Sequence, residues 1–322
     1  MGYSTQVAGD YNCTIVSPTD RLVEVWPVDL AAMEGEITVP SSVEIEGETY
    51  NVVSIARYGF QDNTKITGLT IPEGVVSLNF YCLRRMSNMK YVHFPSTLQY
   101  VAEGFCKDNV SLDSLVFRCT NLKKIYNITC QGCTSVKYIH LPDSIEFLGN
   151  SAFSGLTALE RVENTGNLKH LDGAVFKDTP NLQGIELPAH MDSIGSMCFH
   201  TSGIQELIIP EGVRTVAQQL CVNATRLKHV KMPSHVNWFG PSAFQGCTSL
   251  ETVEMPETVS NPKMSTGLFN GCANLTTINL PRNISIIPYA MFYGCAKLQL
   301  KDSDIPATVV EYGAQCFSGM PL

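Results

Sequence analysis

The sequence predicts a β-rich α/β protein built as a right-handed solenoid of about eleven coils, each of roughly 23 residues, with an N-terminal β cap. Three observations lead to this prediction. Prolines recur at a near-constant spacing, apolar residues keep fixed positions around each proline, and an aromatic-x-Gly-Cys turn follows. Residues 227–247, LKHVKMPSHVNWFGPSAFQGC, contain all three features around Pro233.

The same pattern fits nine prolines, and the unit repeats about every 23 residues. The intervals of 47 and 46 residues each hold two units that have lost the middle proline, with Arg118 and Asn164 at or beside the lost positions. One unit of this length cannot bury its own apolar face, so copies must stack, which predicts a leucine-rich-repeat solenoid. The fitting prolines are Pro72, Pro95, Pro142, Pro188, Pro210, Pro233, Pro256, Pro281 and Pro306.

Residues 1–56 depart from this pattern and are predicted to form a β-hairpin cap. Residues 11–16 and 22–28 alternate apolar and polar side chains, which predicts two strands joined by a turn. Residues 43–45 and 50–53 flank Glu46 and Gly47 as a hairpin. Because an open solenoid exposes its first coil, we expect this segment to cover it. Residues 57–322 are then the solenoid, which ends in mid-repeat.

Each coil is predicted to hold two short strands and a turn. The first strand ends at the proline, which cannot donate to a β-ladder, and the second follows it. The S-A-F-x-G-C segment reads as a tight turn or a single helical turn. Neighbouring coils should pair in parallel and bring Phe153, Phe244, Phe269, Phe292 and Phe317 into one buried aromatic column.

The twelve cysteines fall mostly on repeat positions, which favours buried thiols over a disulfide scaffold. Cys247, Cys272 and Cys295 share one position, and we expect them to be unbridged. Several disulfides are the alternative. Cys130 and Cys133 form a C-x-x-C pair, but both are explained by the repeat, and no second pair lies at zinc-ribbon spacing.

The sequence contains no motif for catalysis, a cofactor or a metal. H-x-x-x-H, G-x-S-x-G, P-loop and G-x-G-x-x-G patterns are all missing. The net charge of −8 comes without a basic run, which disfavours nucleic-acid binding. No apolar run reaches the ~18 residues of a membrane span. We therefore expect a non-enzymatic protein without a cofactor, a nucleic-acid partner or a transmembrane segment.

Residues 242–259, SAFQGCTSLETVEMPETV, and residues 268–284, LFNGCANLTTINLPRNI, resemble the BspA-like leucine-rich repeats of bacterial and protist surface proteins. The resemblance covers most of the chain. It implies export, attachment to the cell surface and adhesion to host proteins or other cells, and it supplies no catalytic residue. The expected location is extracellular or at the cell surface, with the export signal absent from this sequence.

The outward positions of the first strands are the candidate binding surface. K-Y-x-H occurs twice, two coils apart, and tyrosine is enriched at protein interfaces. The alternative is that both tyrosines are ordinary strand formers on a solvated face. We expect a protein or glycan ligand on a host or neighbouring cell, and the competing function is a structural spacer that presents another domain. The candidate residues are Lys90, Tyr91, His93, Lys137, Tyr138 and His140.

Overall fold

The computed structural model describes residues 4–261 and 263–321. The chain divides into two compact units. The first ends at Asn167 and the second begins at Leu168. The ranges assigned above to the cap and the solenoid include residues 1–3, 262 and 322, which lie outside the described residues. The boundary between residues 56 and 57 remains a prediction.

The regular elements of the first unit are short β-strands separated by turns, with one 3-10 turn at Leu30–Ala32. Its strands are β1 (Gln6–Ala8), β2 (Tyr11–Ser17), β3 (Leu22–Pro27), β4 (Gly35–Thr38), β5 (Ser42–Ile45), β6 (Glu48–Ile55), β7 (Ile66–Thr70), β8 (Ser77–Leu78), β9 (Tyr91–His93), β10 (Tyr100–Val101), β11 (Ser114–Val116), β12 (Lys124–Ile125), β13 (Tyr138–His140), β14 (Phe147–Leu148) and β15 (Arg161–Glu163).

The N-terminal segment of this unit is antiparallel where the sequence predicts it. Strands β1, β2 and β3 form a meander, and β5 and β6 form the predicted hairpin, in which Ile45 pairs with Glu48. Two parallel pairings join the segment to the repeats: β6 with β8, and β4 with β7. The hairpin is therefore confirmed, whereas the capping role of residues 1–56 stays a prediction.

Successive coils of the first unit pair in parallel, as the repeat predicts. First strands join in the sheets β4–β7–β9 and β11–β13–β15, and second strands join in β6–β8–β10 and β12–β14. The pairing keeps the repeat register, so Ile139 of β13 lies between Leu115 and Val162. Because side chains alternate along a strand, these apolar residues face the core and their neighbours face outward. We call the outward surface of the first strands the first-strand face.

The second unit repeats this arrangement with shorter strands. Parallel pairs join β16 to β17, β18 to β20 to β22 to β23, β19 to β21, and β24 to β25. The strands are β16 (His170–Leu171), β17 (Ser193–Ile194), β18 (Glu206–Ile208), β19 (Thr215–Val216), β20 (His229–Lys231), β21 (Trp238–Phe239), β22 (Thr252–Glu254), β23 (Thr277–Ile278), β24 (Ile286–Ile287) and β25 (Glu311–Tyr312).

Two of the expected first strands, before Pro188 and Pro306, are not formed as regular strands. The segment before Pro188 contains Gly184, and glycine weakens a strand because it has no side chain to pack. The segment before Pro306 is longer than a standard unit and closes into a 3-10 turn at Asp302–Asp304, where the Lys301 N–H donates to Asp304. The strand prediction was wrong at these two places.

The turn of each coil contains left-handed residues at two positions, four residues apart. Examples are Ser242 and Gly246, with φ of 55° and 72°, and Ala290 and Gly294, with φ of 52° and 72°. A left-handed residue cannot continue a right-handed helix, so the turn closes before an α-helix can form. The described residues contain 3-10 turns but no α-helix, so the helical share of the expected α/β class is not confirmed.

The core is built from repeat positions stacked in columns. In the second unit, Phe244, Phe269, Phe292 and Phe317 stack in sequence with ring centroids 5.8, 5.9 and 6.3 Å apart. This confirms the stacking for these four residues; Phe244, Phe269 and Phe292 are fully buried, whereas Phe317 is half-buried. Phe153 is fully buried in the first unit. Large buried apolar side chains supply most of the stabilisation of such a core, because each removes a wide apolar surface from water.

Candidate functional site

The six candidate residues all lie on the first-strand face, at or beside β9 and β13. Val92 and Ile139 at the strand centres point into the core, so the residues on either side of them point outward. Lys90, His93 and Lys137 are exposed, whereas Tyr91, Tyr138 and His140 are half-buried. The structure therefore places all six residues on one face, as two separate groups.

The ring of Tyr91 is held in place by contacts with neighbouring residues. Its ring packs 4.9 Å from the ring of His93, and it covers Gly68 of the preceding coil so closely that any larger residue there would collide with the ring. Burial and then a hydrogen bond to Glu36 raise the pKa of Tyr91 above its usual value of 10.0. These contacts hold the ring in one orientation with one edge toward solvent.

Tyr138 is held by a network of charged neighbours. Its hydroxyl donates to Glu163 Oε2 at 2.5 Å and lies 3.2 Å from His140 Nδ1, while the guanidinium of Arg161 sits 4.6 Å above the ring. Burial, then the bond to Glu163, raise the pKa of Tyr138, and that same bond lowers the pKa of Glu163 below 4.5. The second group is thus largely satisfied by groups of the protein itself.

The coil between the two groups carries a negative charge. Asp113, directly before β11, lies between Lys90 and Lys137. The Asp113 N–H donates to Lys90 O at 2.9 Å, and the Lys137 N–H donates to Asp113 O at 3.0 Å. A carboxylate-bearing residue therefore occupies the coil between the two lysines. Aligning equivalent repeat positions reveals this Lys-Asp-Lys order in the sequence.

A concavity of about 360 Å³ opens beside the first group. It is lined by Tyr91, His93, Phe94, Ser114 and Arg118, together with backbone-proximal parts of the strands. Small Ser114 leaves the space between coils, and Arg118 adds a cation at the rim. Sequence reasoning missed Arg118 as a site residue. The sequence does contain a signal, because Arg118 occupies a position at which the repeat otherwise has its proline.

A cluster of three cysteines lies in the core of the first unit, away from this face. Cys106, Cys130 and Cys133 form a fully buried cluster in which the Cys133 thiol donates to Cys106 O at 3.2 Å. Burial raises the pKa of Cys130 and Cys133 well above 9.0. A thiol that no substrate can reach does not act as a nucleophile. In residues 4–261 and 263–321, no group of three potential ligands is arranged to hold a metal ion.

The repeat pattern matches a known family model. A model of the BspA type leucine rich repeat region, six copies long, matches residues 39–133, 123–251 and 219–322. These overlapping matches together span residues 39–322. The chain belongs to the BspA-type leucine-rich repeat family. This family is defined by its repeat and indicates no catalytic activity. No curated protein is significantly similar to the chain.

Solved bacterial structures share the fold of this BspA-type protein. A leucine-rich repeat protein from Bacteroides ovatus has 21% identity and a TM-score of 0.62, over 98% of this chain and 92% of that one. A leucine rich cell surface protein from Faecalibacterium prausnitzii has 17% identity and a TM-score of 0.61, over 99% and 98%. The pneumococcal vaccine antigen PcpA has 15% identity and a TM-score of 0.51, over 100% and 80%.

Within the part of this BspA-type chain that the structure describes, no helix combines the length and the apolarity that a membrane span requires.

Proposed function

We propose that this protein is a non-enzymatic binding and adhesion protein, exported or held at the cell surface, that uses its first-strand face to bind a protein or glycan of a host or neighbouring cell. The observation that carries the proposal is the concavity beside Tyr91, bordered by His93 and Arg118. Aligned outward side chains on a solenoid are a common binding surface.

The arrangement around Tyr91 favours recognition over chemistry. The ring is oriented by His93 and by the hydrogen bond to Glu36, so little side-chain entropy remains to be lost on binding. Arg118 offers a planar cation that suits a carboxylate or sulfate. A ligand with acidic groups therefore fits this end of the face best, and its association should weaken with salt.

The surface location rests on similarity alone. The Faecalibacterium prausnitzii protein of the same fold is a leucine rich cell surface protein. The repeats of this chain resemble those of exported surface proteins. The proposal therefore includes export of this chain.

A structural spacer is the second candidate function, and the contacts of Tyr138 favour it. Its hydroxyl is already bonded to Glu163, and Arg161 covers its ring. Groups that satisfy one another offer little to a ligand, and such a face would only keep the solenoid soluble.

The double substitution Tyr91→Ala with Tyr138→Ala separates the two functions. Candidate ligands are host matrix proteins and mucin glycans immobilised on a sensor surface, tested first with the unaltered protein. If the first-strand face binds, the double variant should lose about 2 kcal/mol of binding free energy. Surface plasmon resonance at two salt concentrations measures the loss.

The matched control is Tyr289→Ala with Tyr293→Ala, which removes two exposed tyrosines of the second unit. Its affinity should equal that of the unaltered protein, and all three proteins should melt at the same temperature. Equal affinity of both double variants would exclude the first-strand face of the first unit as the contact surface.

A further inference from the structure

Exposed aromatic residues of the first unit concentrate away from the first-strand face. Tyr58, Phe80, Tyr100 and Tyr126 are each 37–44% exposed, and each lies in a second strand or in the turn that follows one. The two tyrosines of the first-strand face are more deeply buried. Exposed aromatic groups on one side of a protein are often interaction sites.

The densest part of this side is a set of five residues that follow β6 and β8, which we call the arginine–tyrosine patch: Arg57, Tyr58, Phe80, Tyr81 and Arg84. The Tyr58 and Tyr81 rings stack 5.9 Å apart with an interplanar angle of 4°. Neighbouring coils therefore add their side chains to one continuous row.

Both arginines of the patch lie against these rings. The guanidinium of Arg57 is 4.7 Å from the Tyr58 ring centre and 5.7 Å from that of Phe80, and it donates to the Tyr58 hydroxyl at 2.7 Å. The guanidinium of Arg84 is 5.1 Å from the Tyr81 ring centre. Stacking on an aromatic ring holds a guanidinium in place without neutralising its charge.

The positive charge of the patch is only weakly compensated. The nearby carboxylate of Asp62 bonds to a different arginine, Arg85, and its pKa is lowered by that bond and then by the charge of Arg84. Among the described residues, neither Arg57 nor Arg84 forms an ion pair with a carboxylate, whereas the adjacent Arg85 is paired with Asp62. The Arg84 Nε donor is buried and has no hydrogen-bond partner within the described residues. A negative charge placed beside this side chain would offset part of the cost of burying the cation, without contact to the buried Nε itself.

The charge of the remaining chain makes this patch unusual. Residues 1–56 contain nine carboxylates and one arginine, so they carry a formal charge of −8, the same as the whole chain. The patch thus offers two arginines in an acidic protein. Electrostatic complementarity therefore selects a negatively charged partner at this position.

We propose that the arginine–tyrosine patch is a second docking surface, separate from the first-strand face, and that its occupant is an acidic, extended segment of a partner protein. Carboxylates of the segment bond to Arg57 and Arg84, and one apolar side chain packs on Phe80. Arginine and tyrosine dominate the energetics of protein interfaces. A polysaccharide fits less well, because the tyrosine ring surface that a sugar would stack on is occupied by the neighbouring ring and the guanidinium groups.

The test uses a fluorescein-labelled twelve-residue glutamate peptide with one central leucine, and fluorescence anisotropy with the full chain. The variant Arg57→Gln with Arg84→Gln keeps most of each aliphatic stem and removes both charges. We expect roughly tenfold weaker binding by this variant, because each charge-assisted hydrogen bond contributes strongly. Phe80→Ser should weaken binding of the leucine-containing peptide but not of an all-glutamate peptide.

The matched control is Arg214→Gln with Arg226→Gln, which removes two exposed arginines from the second unit and changes the net charge equally. It should bind as the unaltered protein does. Equal loss in both double variants would mean a general charge effect and would overturn the proposal. So would tighter binding of polygalacturonate than of the peptide, or no measurable peptide binding. Tyr91→Ala with Tyr138→Ala leaves the patch intact, so failure of the first-strand proposal does not affect this result.

Discussion

At the residue scale, the ladder cysteines act as hydrogen-bond donors as well as packing groups. The Cys247 thiol donates to Cys221 O at 3.1 Å, and the Cys272 thiol donates to Phe244 O at 3.2 Å. In the first unit, Asn109 takes the equivalent position and donates to Leu83 O at 2.9 Å. A buried carbonyl without a donor is costly, so this position favours a small side chain that carries one.

This donor role leads to opposite expectations at two buried cysteines. At Cys272, serine keeps a donor for the Phe244 carbonyl and alanine does not, so Cys272→Ser should be the more stable variant by about 1–2 kcal/mol. At Cys221, no hydrogen bond from the thiol exists among the described residues, so serine would bury an unpaired hydroxyl and alanine should be more stable. Urea denaturation of the four variants measures both differences. The same order at both sites would contradict the donor role.

The sequence alone predicts that these cysteines are buried thiols, but it does not predict their hydrogen bonds. The repeat places Cys247, Cys272 and Cys295 at one position, and the structure confirms them as free, buried thiols. Their bonding partner is a carbonyl of the preceding coil, which only the registered stacking of coils reveals. The place of Asp113 between Lys90 and Lys137, by contrast, follows from aligning the repeats, and the backbone hydrogen bonds of the three coils agree with it.

At the scale of the elements, glutamates that follow a proline link neighbouring coils. Glu73 accepts the N–H and the hydroxyl of Ser96 at 2.9 and 2.8 Å. In the second unit, Glu211 accepts the hydroxyl and the N–H of Ser234 at 2.6 and 2.9 Å. These hydrogen bonds lower the pKa of each glutamate below its usual 4.5. Each link joins the proline turns of two adjacent coils.

The links should make stability depend on pH in the acidic range. A carboxyl group whose pKa is lower in the folded state contributes stability above its unfolded pKa, and this contribution is lost as pH falls through the folded pKa. The stability difference between the unaltered protein and Glu211→Gln should therefore be largest near neutral pH and should shrink below pH 4.5. Urea midpoints from pH 6 to pH 3 measure it.

Ser234→Ala serves as the matched control, because it removes the hydroxyl donor and leaves the carboxylate in place. Its effect should fade over the same pH range as that of Glu211→Gln. A difference that stays constant with pH would show that the carboxylate does not stabilise the folded state.

The elements themselves are predictable where the repeat is regular. Proline and its flanking apolar residues predict parallel pairs such as β20 with β22, which the structure contains. The prediction fails before Pro188 and Pro306, where a glycine or extra residues change the local backbone. The turn could not be distinguished from a helical turn by apolar spacing, because the left-handed conformations of residues such as Ser242 have no strong sequence signal.

At the scale of the whole molecule, charge is distributed unevenly along the chain. Residues 1–56 account for the whole net excess of carboxylates, whereas the coils of the first unit carry the arginines of the arginine–tyrosine patch. The sequence predicts a basic surface at Lys90 and Lys137, because the first strands are the most regular part of the repeat. Arg57 and Arg84 lie in turns, where repeat positions vary most, and only folding brings them against Tyr58 and Tyr81.

The twelve cysteines report on the integrity of the whole molecule. All are free and buried, and burial raises the pKa of Cys247 and of Cys295 to about 12. Because only an accessible thiolate reacts readily, iodoacetamide should leave the folded protein unlabelled. In denaturant without a reductant, all twelve should be alkylated, as measured by mass spectrometry.

The two halves of this experiment test different properties. Fewer than twelve labels in denaturant would reveal disulfides and contradict the buried-thiol ladder. Labels on the folded protein would reveal coils that open independently, which peptide mapping would locate. Each coil of a solenoid is held only by the coils on either side of it. Opening should therefore begin at a coil whose neighbour packs against it weakly. Cys316 is the most exposed of the twelve cysteines, at 6%, so it should react first. Earlier labelling of the fully buried Cys247 would contradict an order of opening that follows side-chain exposure.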